Sequence, residues 1–208
     1  AIEELIQHPK TMVIAGTTYP RQVFKWSAVE LKGLGIVPVT TTGSHLDTNY
    51  YIEVDESFEI HSNKNSCIRT IGVKAADKVL ADVNVVWTQE EIDDGYAPDG
   101  TSANDARNDV NGNQMVTLGL KTQAKNKAAS QANGYLQGFE WLVSRKVTAN
   151  TDVPSAVVTF MEKIRTDHSD ICTAIDNASD LDAFIALHND TYKEDDTVNV
   201  VARVNRWT

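Results

Sequence analysis

The stretch Tyr135–Arg165, YLQGFEWLVSRKVTANTDVPSAVVTFMEKIR, decides how this chain is read. An aromatic cluster (Tyr135, Phe139, Trp141) leads through Arg145 and Lys146 to a polar break, and Val153-Pro154 then restarts an apolar run that ends at Arg165. Upstream, Ala124, Ala128, Ala132, Tyr135, Phe139 and Leu142 recur at helical spacing and line one face. Downstream, Val157, Met161, Ile164, His168, Ile171 and Ile175 form a second stripe. Pro154 is tolerated in a first helical turn, and Asp152 is placed to cap it. Two amphipathic helices with a short polar joint predict an antiparallel helical hairpin. Trp141 is then expected to pack across the joint against Val153 and Pro154. Arg145, near the first helix's C-terminus, gains ~0.3–1 kcal/mol from the helix dipole. Arg165 can pair with an acidic residue or a helix end on a neighbour.

Beyond the hairpin, Ser179 with Asp182 three residues later suggests a third, short helix through Leu181, Phe184, Ile185 and Leu187. The terminal DTVNVVARVNRWT, rich in Val and holding Trp207, reads as a strand. On the N-terminal side, TMVIAGTTYP reads as a short strand closed by a turn at Gly16. In KWSAVELKGLGIVPV, Ser27 and Glu30 form a capping box, with Trp26 and Leu31 placed as a hydrophobic staple. Gly33 and Gly35 end that helix, and IVPVTTT follows as a strand that Pro38 assigns to an edge. YYIEVDESFEI alternates as one half-exposed strand. Between the two regions, residues 88–114 are rich in Asp, Asn and Gly and read as a long acidic linker. The expected class is α+β. A small β-rich N-terminal region (1–87) is followed by the linker (88–114) and a C-terminal helical domain with a terminal strand (115–208).

Composition narrows the function. A chain of 208 residues and 22.9 kDa can bury about 70% of its unfolded surface. A formal charge of −10 and a pI near 4.9 oppose binding to nucleic acid or to anionic membranes. The N-terminus lacks a signal-peptide pattern, and no apolar run approaches the ~20 residues that span a bilayer. The expectation is therefore a soluble chain, intracellular at synthesis. Cys67 and Cys172 match no metal-ligand spacing and are read as two buried thiols.

No catalytic motif emerges either. His8, His45, His61 and His188 show no metal-ligand spacing, and His168 on the apolar stripe reads as a hydrogen-bonded core residue. Laid on a calcium-loop pattern, RNDVNGNQMVTL puts Arg107 at the first ligand position and Leu118 where a bidentate Glu belongs. Asp93, Asp94, Asp99, Asp105 and Asp109 are better read as a solvated loop than as an ion site. No phosphate-binding glycine loop or nucleophile elbow occurs. The expectation is a chain that is not an enzyme, with no cofactor and no metal.

The quoted stretch also resembles the C-terminal signature of tail-fibre assembly and tail-associated proteins of tailed bacteriophages. Lys121, Lys125 and Lys127 lead into Glu140-Trp141, then Arg145, Val153-Pro154 and Phe160-Met161-Glu162-Lys163-Ile164-Arg165. Glu140 stands where that family has Asp, Met161 where it has the first Arg of its second helix, and TANTD lacks its Glu-Thr-Gly flavour. VIAGTTYPRQVFKWSAVELKGLGIVPV is similar to a recurrent phage tail-protein segment. The resemblance implies a non-enzymatic component of the virion tail (fibre, baseplate or adaptor), made in the host cytoplasm. Its partners would be other phage tail or fibre proteins and further copies of itself. The alternative it implies is a transient fibre-assembly chaperone that does not stay in the particle. The candidate hairpin and interface residues are Tyr135, Phe139, Trp141, Arg145, Pro154, Arg165 and Trp207.

Overall fold

In the computed structural model, which describes residues 4–63 and 65–207, TMVIAGTTYP folds back on itself as a hairpin. Strand β1 (Met12–Ile14) pairs antiparallel with β2 (Thr17–Tyr19), and Ala15 and Gly16 both take positive φ, 49° and 81°, to make the turn. A 3-10 helix, Arg21–Lys25, buries Val23 and leads into α1 (Ala28–Gly33). The Ser27 capping box forms as the sequence predicts: Glu30 N–H donates to Ser27 Oγ at 3.3 Å, and Ser27 N–H donates to Glu30 Oε2 at 2.9 Å. At the other end, Gly35 N–H bonds Lys32 O and Ile36 N–H bonds Leu31 O, with Gly35 at φ 79°. That pair of bonds is a Schellman motif, which needs the left-handed residue that glycine supplies. Trp26 is half-exposed and meets the edge of Tyr19 at 6.1 Å between ring centroids.

Five strands complete the first unit: β3 (Val39–Thr42), β4 (Tyr51–Glu53), β5 (Ser57–Ile60), β6 (Cys67–Thr70) and β7 (Lys74–Asp77). β6 lies between β3, parallel to it, and β5, antiparallel to it, so β3 takes the edge position that Pro38 implies. The single strand expected over YYIEVDESFEI is two strands in two sheets, because β4 pairs with β7 and β5 with β6. The ladder of β4 shifts register between Ile52 and Glu53. There the Glu53 carboxylate accepts from Leu46 N–H and contacts His45 Nδ1 at 2.9 Å. The alternation in the sequence survives the break, which is why it conceals it. Among the described residues, this unit fully buries only Val23 and Cys67 as apolar side chains.

The chain divides between Asp77 and Lys78, not after residue 87. Residues 88–114 do not link two domains. They are an excursion inside the second unit, opened by β8 (Val83–Asn84) and closed by β9 (Val116–Thr117), which pair antiparallel. Thr88 and Glu91 form a capping box on α2 (Gln89–Asp93), a pattern legible in TQEE that the acidic composition hid. Bridges join Val86 to Ala106 and Asn108 to Gln114. Gln114 Nε2 lies 2.7 Å from Val85 O and 3.2 Å from Arg107 O, pinning three passes of chain together. Arg107 pairs with Glu91 at 2.8 Å and lies over the Trp87 ring at 4.4 Å.

The helical part departs from the sequence reading at one place. The first hairpin helix is two helices, α3 (Leu120–Gln137) and α4 (Glu140–Ala149), broken at Gly138. The long α5 (Ser155–Asn177) then packs along α3. Lys121, at the start of α3, reaches Asp176 O at the end of α5, while Phe139 meets Phe160 near the start of α5. The two helices are therefore antiparallel. Small Ala128 and Ala132 on α3 face the branched stripe of α5, where Ile164, Ile171 and Ile175 are each 0% exposed. The predicted stripe is the core of this unit. Pro154 stands at the N-cap of α5 and gives it no side-chain cap, and Asp152 instead pairs with Lys146 of α4.

The third helix is α6 (Leu181–Ala186). Its cap is Asp180, accepting from Ala183 N–H at 2.8 Å, one residue beyond the expected Ser179. The terminal strand is shorter than expected. β11 (Val198–Val200) folds antiparallel onto β10 (Thr191–Tyr192), and a 3-10 helix, Arg203–Asn205, follows. The molecule is α+β, with small sheets throughout and the long helices confined to the second unit.

Candidate functional site

The joint between α3 and α5 is where the singled-out side chains gather, and α4 is what fills it. Leu142 is the buried residue of α4, at 6% exposure, and Phe139 at its start packs on Phe160 with centroids 5.4 Å apart. The outer faces of this helix stay uncovered: Trp141 is 58% exposed and Val147 81%. Trp141 therefore does not take the core role expected for it across the joint. Its contact is with Arg145 one turn on, whose guanidinium carbon lies 5.1 Å from the indole centroid. A cation over an indole face is worth ~0.5–1 kcal/mol at exposed sites. Arg145 Nε is buried without a hydrogen-bond acceptor, so this guanidinium is incompletely satisfied within the chain.

The other candidates fall around this centre. Tyr135 on α3 packs on Trp207 at 5.5 Å between centroids, which ties the C-terminus to the hairpin. Two further contacts hold the same terminus: Ala202 N–H donates to Asp190 Oδ1 at 2.6 Å, and Arg203 lies 3.6 Å from Asp170 of α5. Tyr135 and Trp207 are thus mainly an internal clasp. Arg165 is exposed and lines a shallow cleft of about 170 Å³ with Ala129, Ala132, Asn133, Leu136 and His168. Pro154 is exposed at the joint. His168 is half-buried, with Nε2 at 3.5 Å from Cys172 Sγ, and burial raises the pKa of that thiol. Cys67 and Cys172 are both free; Cys67 is buried and Cys172 half-buried.

The acidic loop residues make local bonds. Asp109 accepts from Asn111 N–H at 2.8 Å and Asn113 N–H at 2.9 Å, Asp105 from Ser102 N–H at 2.7 Å, and Asp93 from Gln89 Nε2 at 2.8 Å. Among the described residues, no group of three His, Cys, Asp or Glu side chains converges as a metal site, and no helix is long and apolar enough to cross a membrane. No protein-family model matches the chain, and comparison with curated proteins and with solved structures gave no significant match.

These carboxylates give the chain a pH dependence. Backbone N–H groups of Asn113 and Asn111 hold Asp109 below its ordinary value. Ala183 N–H, then the Ser179 hydroxyl, do so for Asp180, and Thr88 N–H leads the causes at Glu91. A carboxylate with a lowered folded pKa stabilises the fold fully above its unfolded value, and the contribution is lost as pH falls through the folded one. The melting temperature is therefore expected to fall as the buffer is taken from neutral to below the normal carboxylate range. A flat profile there would show that these bonds do not stabilise the fold.

Proposed function

We propose that this chain is a non-enzymatic structural component of a bacteriophage virion tail, acting through protein–protein contacts. The observation that carries the reading is surface left uncovered. The accessible area is 14522 Å², whereas two separate globules of these lengths would expose roughly 11,500 Å². Large apolar side chains are among those left exposed, including Val13 at 66% exposure, Val29 at 82%, Tyr96 at 72% and Val110 at 101%. Exposed apolar surface of this kind is what interaction sites are made of. The resemblance of residues 121–165 to phage tail-associated proteins supplies the kind of assembly. The backbones of the acidic excursion and of the terminal strand need no neighbouring chain to complete them, since each pairs within the chain.

Trp141 is the side chain on which assembly is expected to depend most. The Trp141→Ala protein should keep its melting temperature within a few degrees, because an exposed indole contributes little to the fold. In a competition during infection, it should enter particles several-fold less well than the wild-type chain. Equal incorporation would remove the joint from the assembly surface.

A further inference from the structure

Charge is distributed unevenly along the sequence of the second unit. Residues 120–149 hold five cations, Lys121, Lys125, Lys127, Arg145 and Lys146, against one carboxylate, Glu140. Residues 88–114 hold seven carboxylates against Arg107 alone. An exposed aromatic lies in each segment: Trp141, 58% exposed, in the basic one and Tyr96, 72% exposed, in the acidic one. Most charges near them are already engaged. Lys125 pairs with Asp176, Lys146 with Asp152, and Glu91 with Arg107. Arg145 is different, because it rests on Trp141 and pairs with no carboxylate among the described residues.

The backbone of Tyr96 is fixed by the end of α2. Gly95, at φ 77°, closes α2 with Gly95 N–H on Ile92 O at 3.0 Å and Tyr96 N–H on Glu91 O at 2.9 Å. Those two bonds form a second Schellman motif, in which the residue at the position of Tyr96 normally folds back onto its own helix. Here it projects into solvent between Asp94 and Asp99, both exposed.

We infer that the Trp141–Arg145 stack of one copy receives Tyr96, with Asp94 and Asp99, of a second copy. This rests on the reading of the chain as an assembled subunit and names its partner. An aromatic ring would lie against the indole, and a carboxylate would pair with the guanidinium, which has no carboxylate partner among the described residues of its own chain. Tyr, Trp and Arg are the residue types that dominate such contacts, and opposite charges at the rim set which surfaces meet. Each copy gives its knob to one neighbour and its stack to another, so the contact is heterologous and propagates head to tail into a ring or a filament.

Analytical ultracentrifugation of the purified full chain over a concentration series tests this. The wild type is expected to associate beyond a dimer, more weakly as salt is raised. Arg145→Glu, which spoils the stack and leaves Asp94 and Asp99 to repel the new Glu, and Tyr96→Ala, which removes the knob's ring, should each weaken association by ~10-fold or more. Mixed one to one, the two variants should form a heterodimer that grows no further, because each keeps the patch the other lacks. That result also shows that both are folded. The inference is overturned if the wild type stays monomeric, if the variants associate as it does, or if the mixture forms no heterodimer. The tail reading is judged separately, by whether the chain is found in particles.

Discussion

Ile171→Ala is expected to destabilise the second unit by ~2–5 kcal/mol. Ile171 lies in the middle of α5 and is 0% exposed, with Ile164 and Ile175, also 0% exposed, on the same stripe. The α3 face packed along α5 presents Ala128 and Ala132, short side chains that cannot extend into the space a lost sec-butyl side chain leaves. The cost therefore includes a cavity as well as lost burial. Denaturant unfolding followed by helical circular dichroism measures it, since the long helices all belong to this unit. A loss below ~1 kcal/mol would mean that the helices repack and that the stripe is not a close-packed core. Trp141→Ala is the natural comparison, an aromatic deletion expected to change the same curve far less.

Gly72→Ala is expected to be as damaging to the first unit. Gly72 has φ 70°, and a Cβ built there would sit 1.8 Å from Ser44 O. Gly43, at φ 85°, faces the reciprocal problem, with Ile71 O at 2.2 Å. These residues leave the parallel pair β3 and β6 at the same end, so the two chains cross with backbone against backbone. The left-handed conformation alone costs a non-glycine residue ~1–3 kcal/mol, and no side chain can rotate away to relieve the collision. A unit whose fully buried apolar side chains are Val23 and Cys67, among the described residues, has little reserve. Gly72→Ala should abolish or sharply lower its unfolding transition in hydrogen exchange while leaving that of α3–α5 in place. Gly16→Ala, with nothing within 4 Å of its Cβ, isolates the conformational cost from the collision. Protection at β3 and β6 unchanged by Gly72→Ala would refute the crossing.

What could be read from the sequence depended on how locally each feature is encoded. The Ser27 capping box and the Gly35 stop need only neighbours a few residues away, and the spacing shows them. The α5 stripe was legible because a helix of 23 residues samples its period several times. The failures came where long-range pairing decides. Nothing in YYIEVDESFEI marks that its two halves join different sheets, since that depends on β6 and β7. Residues 88–114 looked like a linker because polar residues dominate them, yet carbonyls of Val85, Arg107 and Met115 around Gln114 hold them as structure. The TQEE capping signal was present and outweighed by composition.

The site was legible as a set of residues but not as a set of roles. Trp141 and Phe139 differ by two positions, which on a continuous helix turns one inward and the other away. Phe139 and Leu142 kept the inward places their spacing gives, Phe139 on Phe160 and Leu142 buried, although the helix breaks at Gly138. Trp141 was left outside with Arg145 stacked on it. A helix break between two glycine-flanked aromatic residues was the available signal, in the run Leu136-Gln137-Gly138-Phe139. Trp207 could not be paired with Tyr135 from sequence, because that contact depends on how the C-terminal turn lies against α3.

The measurement that tests the tail reading most directly is quantitative mass spectrometry of purified particles beside the infected-cell lysate. A structural subunit should be present in the particle at a fixed copy number, unchanged by further purification and depleted to match in the soluble fraction. Presence in the lysate with absence from the particle would contradict that reading and make the chain an assembly chaperone.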